Sequence, residues 1–416
     1  MTWMLVAILA ALCLGLLVEG LVRPGGVYEF PFLAAAMSTA FVLPQLPGLV
    51  DGPFLPDGGF SAAVVFTVAC LGAAPLGWRL ARRPLLRQIV PLDETRLLLA
   101  AAALSATGAG FYVAVGRLPP EETVSVAISG FPVVLLFFSK MLVYGFAIAV
   151  LCAARRPSLP ALTIALADSA LYLDRVYVTG KRGEAFEFVL LIALAVWFQR
   201  RRALPRAAVA AALVLGMTAL GSTEDYRKMT RRGETPGIAE IASIDFVGNF
   251  KTLLADGGYE FQNAVMRIDL TSRNQAFDYG LFHWNELVMT FVPSQLVGES
   301  LKRSLIVSVS GAADRFYEPK FGTTDTGMAD AFGSFWWFGA LKFLVVGWIM
   351  RRIYLSAMAG DAASQLLYML SALPAMHIFS HHTNWIVAAW VQMALFVGPA
   401  LIFAARRRPR GATAAA

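Results

Sequence analysis

Two cations and two carboxylates stand where one apolar run ends and the next begins. In "VTGKRGEAFEFVLL", residues 178–191, Lys181 and Arg182 precede Glu184 and Glu187, and Arg175 lies just upstream. Charges at the edge of a membrane core are costly and face protein or water. Glu184 and Glu187 are one turn apart on a single helix face, and Asp168 and Arg175 share a face two turns apart. Arginine holds phosphate oxygens through a planar fork and lysine through a point charge, so the cluster suits an anion. Snorkelling and internal ion pairs are the structural alternative. Lys181 fits that alternative better. Arg182 fits the anion site, because Gly180 and Gly183 flank it and let backbone approach closely.

The four histidines, His283, His377, His381 and His382, form a second group. Imidazole titrates near neutrality and makes a good general base. His377 and His381 are a helical turn apart, a spacing that also permits a metal. No HExxH pattern occurs and no acidic partner is fixed by spacing, so neither a metal nor a cofactor is expected. The third group is the string "RIDLTSRNQAFDYGLFHWNEL", residues 267–287. It holds Arg267, Asp269, Arg273, Asp278, His283, Trp284 and Glu286. Rings beside carboxylates and arginines suit sugar binding, with Trp284, Asp278, Glu286 and the more distant His381 as candidates. They suit an interfacial helix equally, since Trp prefers the headgroup level.

The elements that must position these residues are apolar. Of 416 residues, 57% are hydrophobic and 15% charged, and mean hydropathy is +0.62. Soluble domains carry about a quarter charged residues. The fold class expected is all-α: a polytopic transmembrane bundle with one large helical extracytoplasmic loop. About eleven runs approach the ~20 apolar residues a span needs. They centre on 2–22, 29–50, 60–79, 96–115, 131–154, 160–178, 184–199, 206–221, 331–350, 361–380 and 384–404. The sixth and seventh carry charge. The chain divides into eight spans (1–220), the large loop (221–330), three spans (331–405) and a basic tail (406–416). Cys13, Cys70 and Cys152 all fall in apolar runs and read as small core residues.

Basic clusters orient the bundle. "RLARRPLLR", "ARRP", "QRRRALPR", "MRR" and "ARRRPRG" all fall on one side of an eleven-span chain. By the positive-inside rule that side is the cytoplasm, so the C-terminus is inside and the N-terminus outside. The net charge of +7 thus reports topology, not nucleic acid. The N-terminal run has no basic n-region and reads as a retained span. In the large loop, residues 235–258 and 259–272 show helical apolar spacing and read as amphipathic helices. "TFVPSQLVGES", residues 290–300, is too short to span and reads as a segment that can dip into the bundle. No P-loop, GxGxxG or GxSxG occurs. Polar chemistry outside the cytoplasm lacks nucleotides, so an activated substrate there must carry its own energy, as a lipid pyrophosphate does.

With these residues in hand, the chain resembles Wzy-type polymerases of O-antigen and other repeat-unit polysaccharides. "GKRGE" opens a span after a small cationic outer loop, as a G-x-R-G does in that family. Arg267 and Arg273 are the nearest matches to its loop arginines. "VPSQLVGESLK", with Pro293, Gly298, Glu299 and Lys302, is similar to its P…G…K stretch, and "TGMADAFGSFWWFGAL" to the start of its next span. The resemblance covers roughly residues 160–352. The paired His381–His382 and the lower span count depart from it.

The resemblance implies a substrate: a glycan on a polyprenyl pyrophosphate. The growing chain moves to a hydroxyl of the next lipid-linked unit, in a bacterial inner membrane, without nucleotide or metal. Arg175, Arg182, Arg267 and Arg273 would hold pyrophosphate, with Arg182 and Arg273 foremost. His283, Glu184 or Glu187 would act as base. A flippase and a chain-length regulator are the implied partner proteins. O-antigen ligases share the architecture and the donor, and these motifs do not separate the two. A transporter is a third reading, but transporters place charge near the midplane of repeated halves. Here charge gathers at one face. A scaffold binding its partner through the large loop is a fourth.

Overall fold

The computed structural model describes residues 2–50, 52, 54–86, 89–118, 131–179, 182–222, 225–226, 237, 240–241, 243–308, 317, 319 and 323–406. In chain order its α-helices are α1 (Thr2–Val22), α2 (Phe30–Met37), α3 (Gly59–Leu80), α4 (Glu94–Gly116), α5 (Phe131–Ser139), α6 (Met141–Arg155), α7 (Leu159–Thr179), α8 (Arg182–Arg200) and α9 (Arg206–Gly221). The region beyond residue 221 holds α10 (Phe246–Asp256), α11 (Tyr259–Asn274), α12 (Leu281–Phe291), α13 (Ser294–Val297) and α14 (Glu299–Leu305). The chain continues through α15 (Gly327–Phe335), α16 (Ala340–Met358), α17 (Ala362–His377) and α18 (Asn384–Ala404). Among the described residues there is no strand.

Among the described residues, six stretches are long and apolar enough to cross a membrane: α1, α3, α4, α5 with α6, α15 with α16, and α18. The chain is therefore a helical membrane protein. The other runs that the sequence offers as spans are shorter or more charged. The run at 29–50 is a broken helix. Pro44 and Pro47 lack the N–H that an α-helix requires, and the chain passes from α2 into a π turn (Ser38–Val42) and 3-10 turns (Leu43–Gln45, Pro47–Leu49). The buried Gln45 repairs the break. Its amide donates to Phe41 O at 2.8 Å, and its Oε1 accepts from Phe261 N, at the first turn of α11, at 3.0 Å.

That bond docks the large-loop region onto the bundle. In α11 the apolar spacing reads as expected: Phe261, Ala264, Val265 and Ile268 are buried at i, i+3, i+4 and i+7. Phe261 meets Phe60 of α3 edge to face, with ring centroids 6.0 Å apart. Helices form at 246–256 and 259–274; within the expected 235–258 helix, residues 235, 236, 238, 239 and 242 lie outside the described residues. The expected dip at 290–300 does not occur. Gln295, Val297, Gly298 and Glu299 are exposed, and α13 and α14 lie on the outside of the fold. Gly298, with φ +85°, and Pro293 turn the chain there without inserting it.

The run at 331–350 is also interrupted. α15 ends at Trp336, whose φ of 53° lies in the left-handed region, and a 3-10 turn (Trp336–Gly339) leads into α16. A bulky residue holds that conformation only where packing over-determines it. Phe66 of α3 supplies packing there, meeting Phe332 and Trp337 edge to face with ring centroids 5.1 and 5.7 Å away. Below the turn, α3 and α16 run in close contact. A methyl group on Gly77 would overlap Leu344 O, and one on Gly347 would overlap Ala74 O. Small residues at such crossings let membrane helices approach backbone to backbone.

Polar contacts sort the helix ends into two sets. At one end, Leu85 N bonds Arg352 O (3.0 Å), Asp93 N bonds Ala404 O (2.7 Å), Arg200 Nε bonds Ala154 O (2.6 Å) and Arg206 bonds Val22 O (3.0 Å). This arginine-rich end joins the segments that the basic clusters occupy. At the other end lie α10 to α14, the α8 N-terminus and the turn between α17 and α18.

Candidate functional site

At the end opposite the arginines, carboxylates on α7 and α8 are all partnered. Arg175 Nε meets Glu184 Oε2 at 2.8 Å, and Arg175 Nη2 donates to Glu184 Oε1 at 3.0 Å. Tyr172 OH donates to Glu187 at 2.6 Å, Ser105 to Asp168 at 2.6 Å and Tyr112 to Asp174 at 2.6 Å. A charge removed from water must find such partners. The weak apolarity of these two helices therefore reflects a built polar seam. Lys181 lies outside the described residues. Arg182 opens α8, and its side chain lies outside them too. Next to it, Gly183 faces His377: a Cβ on Gly183 would sit 3.5 Å from His377 Nε2.

Through His377 the seam continues into the histidines. Ser380 Oγ lies 3.0 Å from His377 Nδ1 and 2.9 Å from His381 Nδ1. Trp385 is the hub, with ring centroids 5.4, 4.4 and 6.5 Å from those of His377, His381 and His382. His381, read from sequence as a sugar contact, is thus half-buried in imidazole and indole packing. Among the described residues no three His, Cys, Asp or Glu side chains could hold a metal ion.

Beyond Trp385 stands a group that sequence reasoning did not single out. Asp330 of α15 is buried. It accepts from both the N–H and the hydroxyl of Thr383, the latter at 2.7 Å, and pairs with Lys342 Nζ at 3.1 Å. Lys342 also donates to Ser334 Oγ at 2.8 Å. His283 joins from α12, its Nε2 3.3 Å from Thr383 Oγ1 and its Nδ1 3.3 Å from Asn384 Oδ1. Thr383 gives its proton to Asp330, so it accepts from His283 Nε2–H. A neutral imidazole then has no proton on Nδ1 to give Asn384 Oδ1, and at 3.3 Å both contacts are longer than ordinary hydrogen bonds. Burial lowers the His283 pKa below 6.5, and the nearby Lys342 adds to this.

His382 packs its ring on Phe282 at 5.4 Å. Its buried Nδ1 has no hydrogen-bond partner among the described residues. Burial lowers its pKa, against the opposing fields of Asp330 and Glu286. Burial thus disfavours the His382 cation and leaves one buried ring nitrogen without a hydrogen-bond partner among the described residues.

The loop residues divide. Arg267 pairs with Asp325 at 3.0 Å, half-buried, and its charge is felt by His382. Arg273, read as a foremost pyrophosphate ligand, instead pairs with Asp269 one turn earlier at 2.8 Å and is largely exposed. Asp278 closes a turn, its Oδ1 accepting from Gly280 N at 2.7 Å where φ is +86°. Trp284 is pinned by an indole bond to Leu305 O at 2.8 Å, with half of its surface open. Glu286 is half-buried beside His382.

Geometry thus gathers Arg175, Glu184, Glu187, Arg267, His283, Glu286 and His381 into one layer and leaves Arg273 at its edge. Comparison with protein-family models, curated proteins and solved structures finds no match to this chain.

Proposed function

We propose that the chain is an integral membrane glycosyltransferase that polymerises polyprenyl-pyrophosphate-linked repeat units into a surface polysaccharide. One observation carries this reading: three cation–carboxylate pairs, Arg175–Glu184, Arg267–Asp325 and Lys342–Asp330, lie in one layer with all four histidines, opposite the arginine-rich end. On this reading the chain crosses a bacterial inner membrane eleven times, with the layer outside and the arginines in the cytoplasm. The segregation of helix ends described above supports that path.

The donor would be the growing glycan on its pyrophosphate carrier. An acceptor hydroxyl of the next lipid-linked unit attacks the anomeric carbon. The bond to the pyrophosphate oxygen breaks, and the hydroxyl proton passes to a base. Arg175, Arg182 and Arg267 stabilise the negative charge that develops on the leaving group. Pre-pairing with carboxylates holds Arg175 and Arg267 in place until the anion arrives. The base would be His382, whose Nδ1 has no hydrogen-bond partner among the described residues, with His283, Glu184 and Glu187 as the other candidates. Trp284 and Trp385 offer ring faces to sugars. No nucleotide enters the reaction. A flippase would deliver the substrate, and a regulator would set chain length.

The test is a size-resolved gel of surface polysaccharide from cells lacking the gene, restored with wild type, Arg267→Ala or His382→Ala. Expected is a ladder with wild type and a single repeat unit with either variant. Long chains that persist on their lipid carrier in the deletion strain would assign a ligase instead. An unchanged ladder and attachment would refute both.

A further inference from the structure

Two adjoining cavities open at the arginine-rich end, where α1, α3 and α16 meet. The first, about 390 Å³, is walled by Arg23, Arg79, Arg82 and Arg351 together with Glu19 and Glu29. Its charges are mostly matched: Glu19 pairs with Arg23 (3.1 Å) and Arg79 (2.8 Å), and Glu29 with Arg23 (3.3 Å) and Arg351 (3.7 Å). The second, about 650 Å³, shares Arg82 and adds Arg83 and Arg352, with no acidic residue in its wall.

This second cavity shows the marks of an anion site. Arg82 and Arg83 make no ion pair among the described residues. The Arg352 guanidinium lies over Trp348, its Cζ 4.7 Å from the ring centroid, and one arm donates to Pro84 O at 3.4 Å. Its Nε is buried and has no hydrogen-bond partner among the described residues. A stacked arginine with an unused inward donor is preorganised for a phosphate or carboxylate oxygen. Topology alone asks only for charge near the helix ends, not for a cavity with an orphaned donor.

The rim says where the anion comes from. Leu80, Val345 and Trp348 are exposed on the flank of α3 and α16, on segments apolar enough to cross a membrane. A ligand seated here has an anionic head against arginines and an apolar body along the helices. We propose that this cavity binds the headgroup of an anionic phospholipid, its phosphate held by Arg82, Arg83 and Arg352 and its acyl chains laid along Leu80, Val345 and Trp348. Basic pockets between helices at the cytoplasmic level take such headgroups. The assignment is independent of the reaction proposed at the opposite end.

Native mass spectrometry of the full chain in mild detergent tests this, with phosphatidylglycerol and phosphatidylcholine offered at equal concentration. The expected result is preferential retention of phosphatidylglycerol. Arg82→Gln with Arg83→Gln should weaken that retention roughly tenfold or more, the loss that two headgroup-level arginines imply. Glycerol 3-phosphate at the same concentration should not displace the lipid. Equal retention of both lipids, or retention unchanged in the double variant, would overturn the proposal. Displacement by glycerol 3-phosphate would overturn its lipid source and assign a soluble phosphate. The lipid comparison and the competition need only wild-type protein, so they decide the matter even if the variant does not fold.

Discussion

Asp330 and Lys342 offer the sharpest test of how the layer is held. Their side chains are 6% and 14% exposed, and Asp330 also receives two donors from Thr383. Removing one member of a buried pair strands the other charge, at about 3–5 kcal/mol. Asp330→Asn keeps an acceptor for Thr383 but leaves Lys342 with no carboxylate, only Ser334 Oγ and the Phe335 ring face, so it should fall near the middle of that range. Lys342→Met leaves a carboxylate that Thr383 still solvates, so about 3 kcal/mol is expected. The double variant strands neither charge, and replacing both members of such a pair is often close to neutral. It should therefore be more stable than either single variant, with a coupling energy of more than about 4 kcal/mol. Unfolding in mixed micelles of rising dodecyl sulfate fraction, followed by tryptophan fluorescence, measures all four proteins. If the two substitutions add to within about 0.5 kcal/mol, the pair is not coupled and the buried-pair reasoning fails.

Arg175→Met paired with Glu184→Met separates a structural ion pair from an anion site. If Arg175 binds pyrophosphate, the double variant makes no more polymer than Arg175→Met alone; recovery of the ladder would reduce Arg175 to a structural partner. His283 and His382 both have folded pKa values below the ordinary 6.5 because they are buried. The unfolded chain then takes up more protons as pH falls below 6.5, so their contribution is full above that pH and is lost as pH drops through the folded values. The thermal midpoint should decline from pH 7 to 5 less steeply in His283→Gln/His382→Gln than in wild type, and parallel curves would count against the assignment. Gly77→Ala should splay α3 from α16 and abolish a monodisperse peak on gel filtration. Gly72→Ala, with nothing within 4 Å of the added methyl, should leave that peak unchanged.

Apolar runs are legible in this sequence because burial in lipid imposes them residue by residue. The amphipathic face of α11 is equally legible, through the spacing of Phe261, Val265 and Ile268. The breaks are less so. Pro44 and Pro47 announce one, but nothing at Trp336 marks the other, whose neighbours Phe332 and Trp337 pack on Phe66 of a different helix. Site residues follow the same division. The cluster at 175–187 is local and stands out. Asp330 hides as a single acid in an apolar run, and its meaning comes from Thr383, more than fifty residues away. His382 differs from His381 only in what surrounds its ring. Arg267 and Arg273 are alike in sequence, and only the position of Asp325 draws one inward.

The interruption at Trp336 also fixes a length. Phe335, Trp336, Trp337 and Phe338 are all exposed there, a belt of rings of the kind that settles at a membrane–water boundary. From Phe338 to Arg351, α16 rises about 20 Å at ~1.5 Å per residue. The hydrocarbon core of a typical bilayer is about 30 Å thick. On this flank the apolar band is a third too short, and a mismatch of that size is relieved by thinning the bilayer or by arginines reaching outward. On the proposed path through the membrane, the bilayer beside α16 would be thinner than elsewhere around the protein, with the two leaflets closer together there.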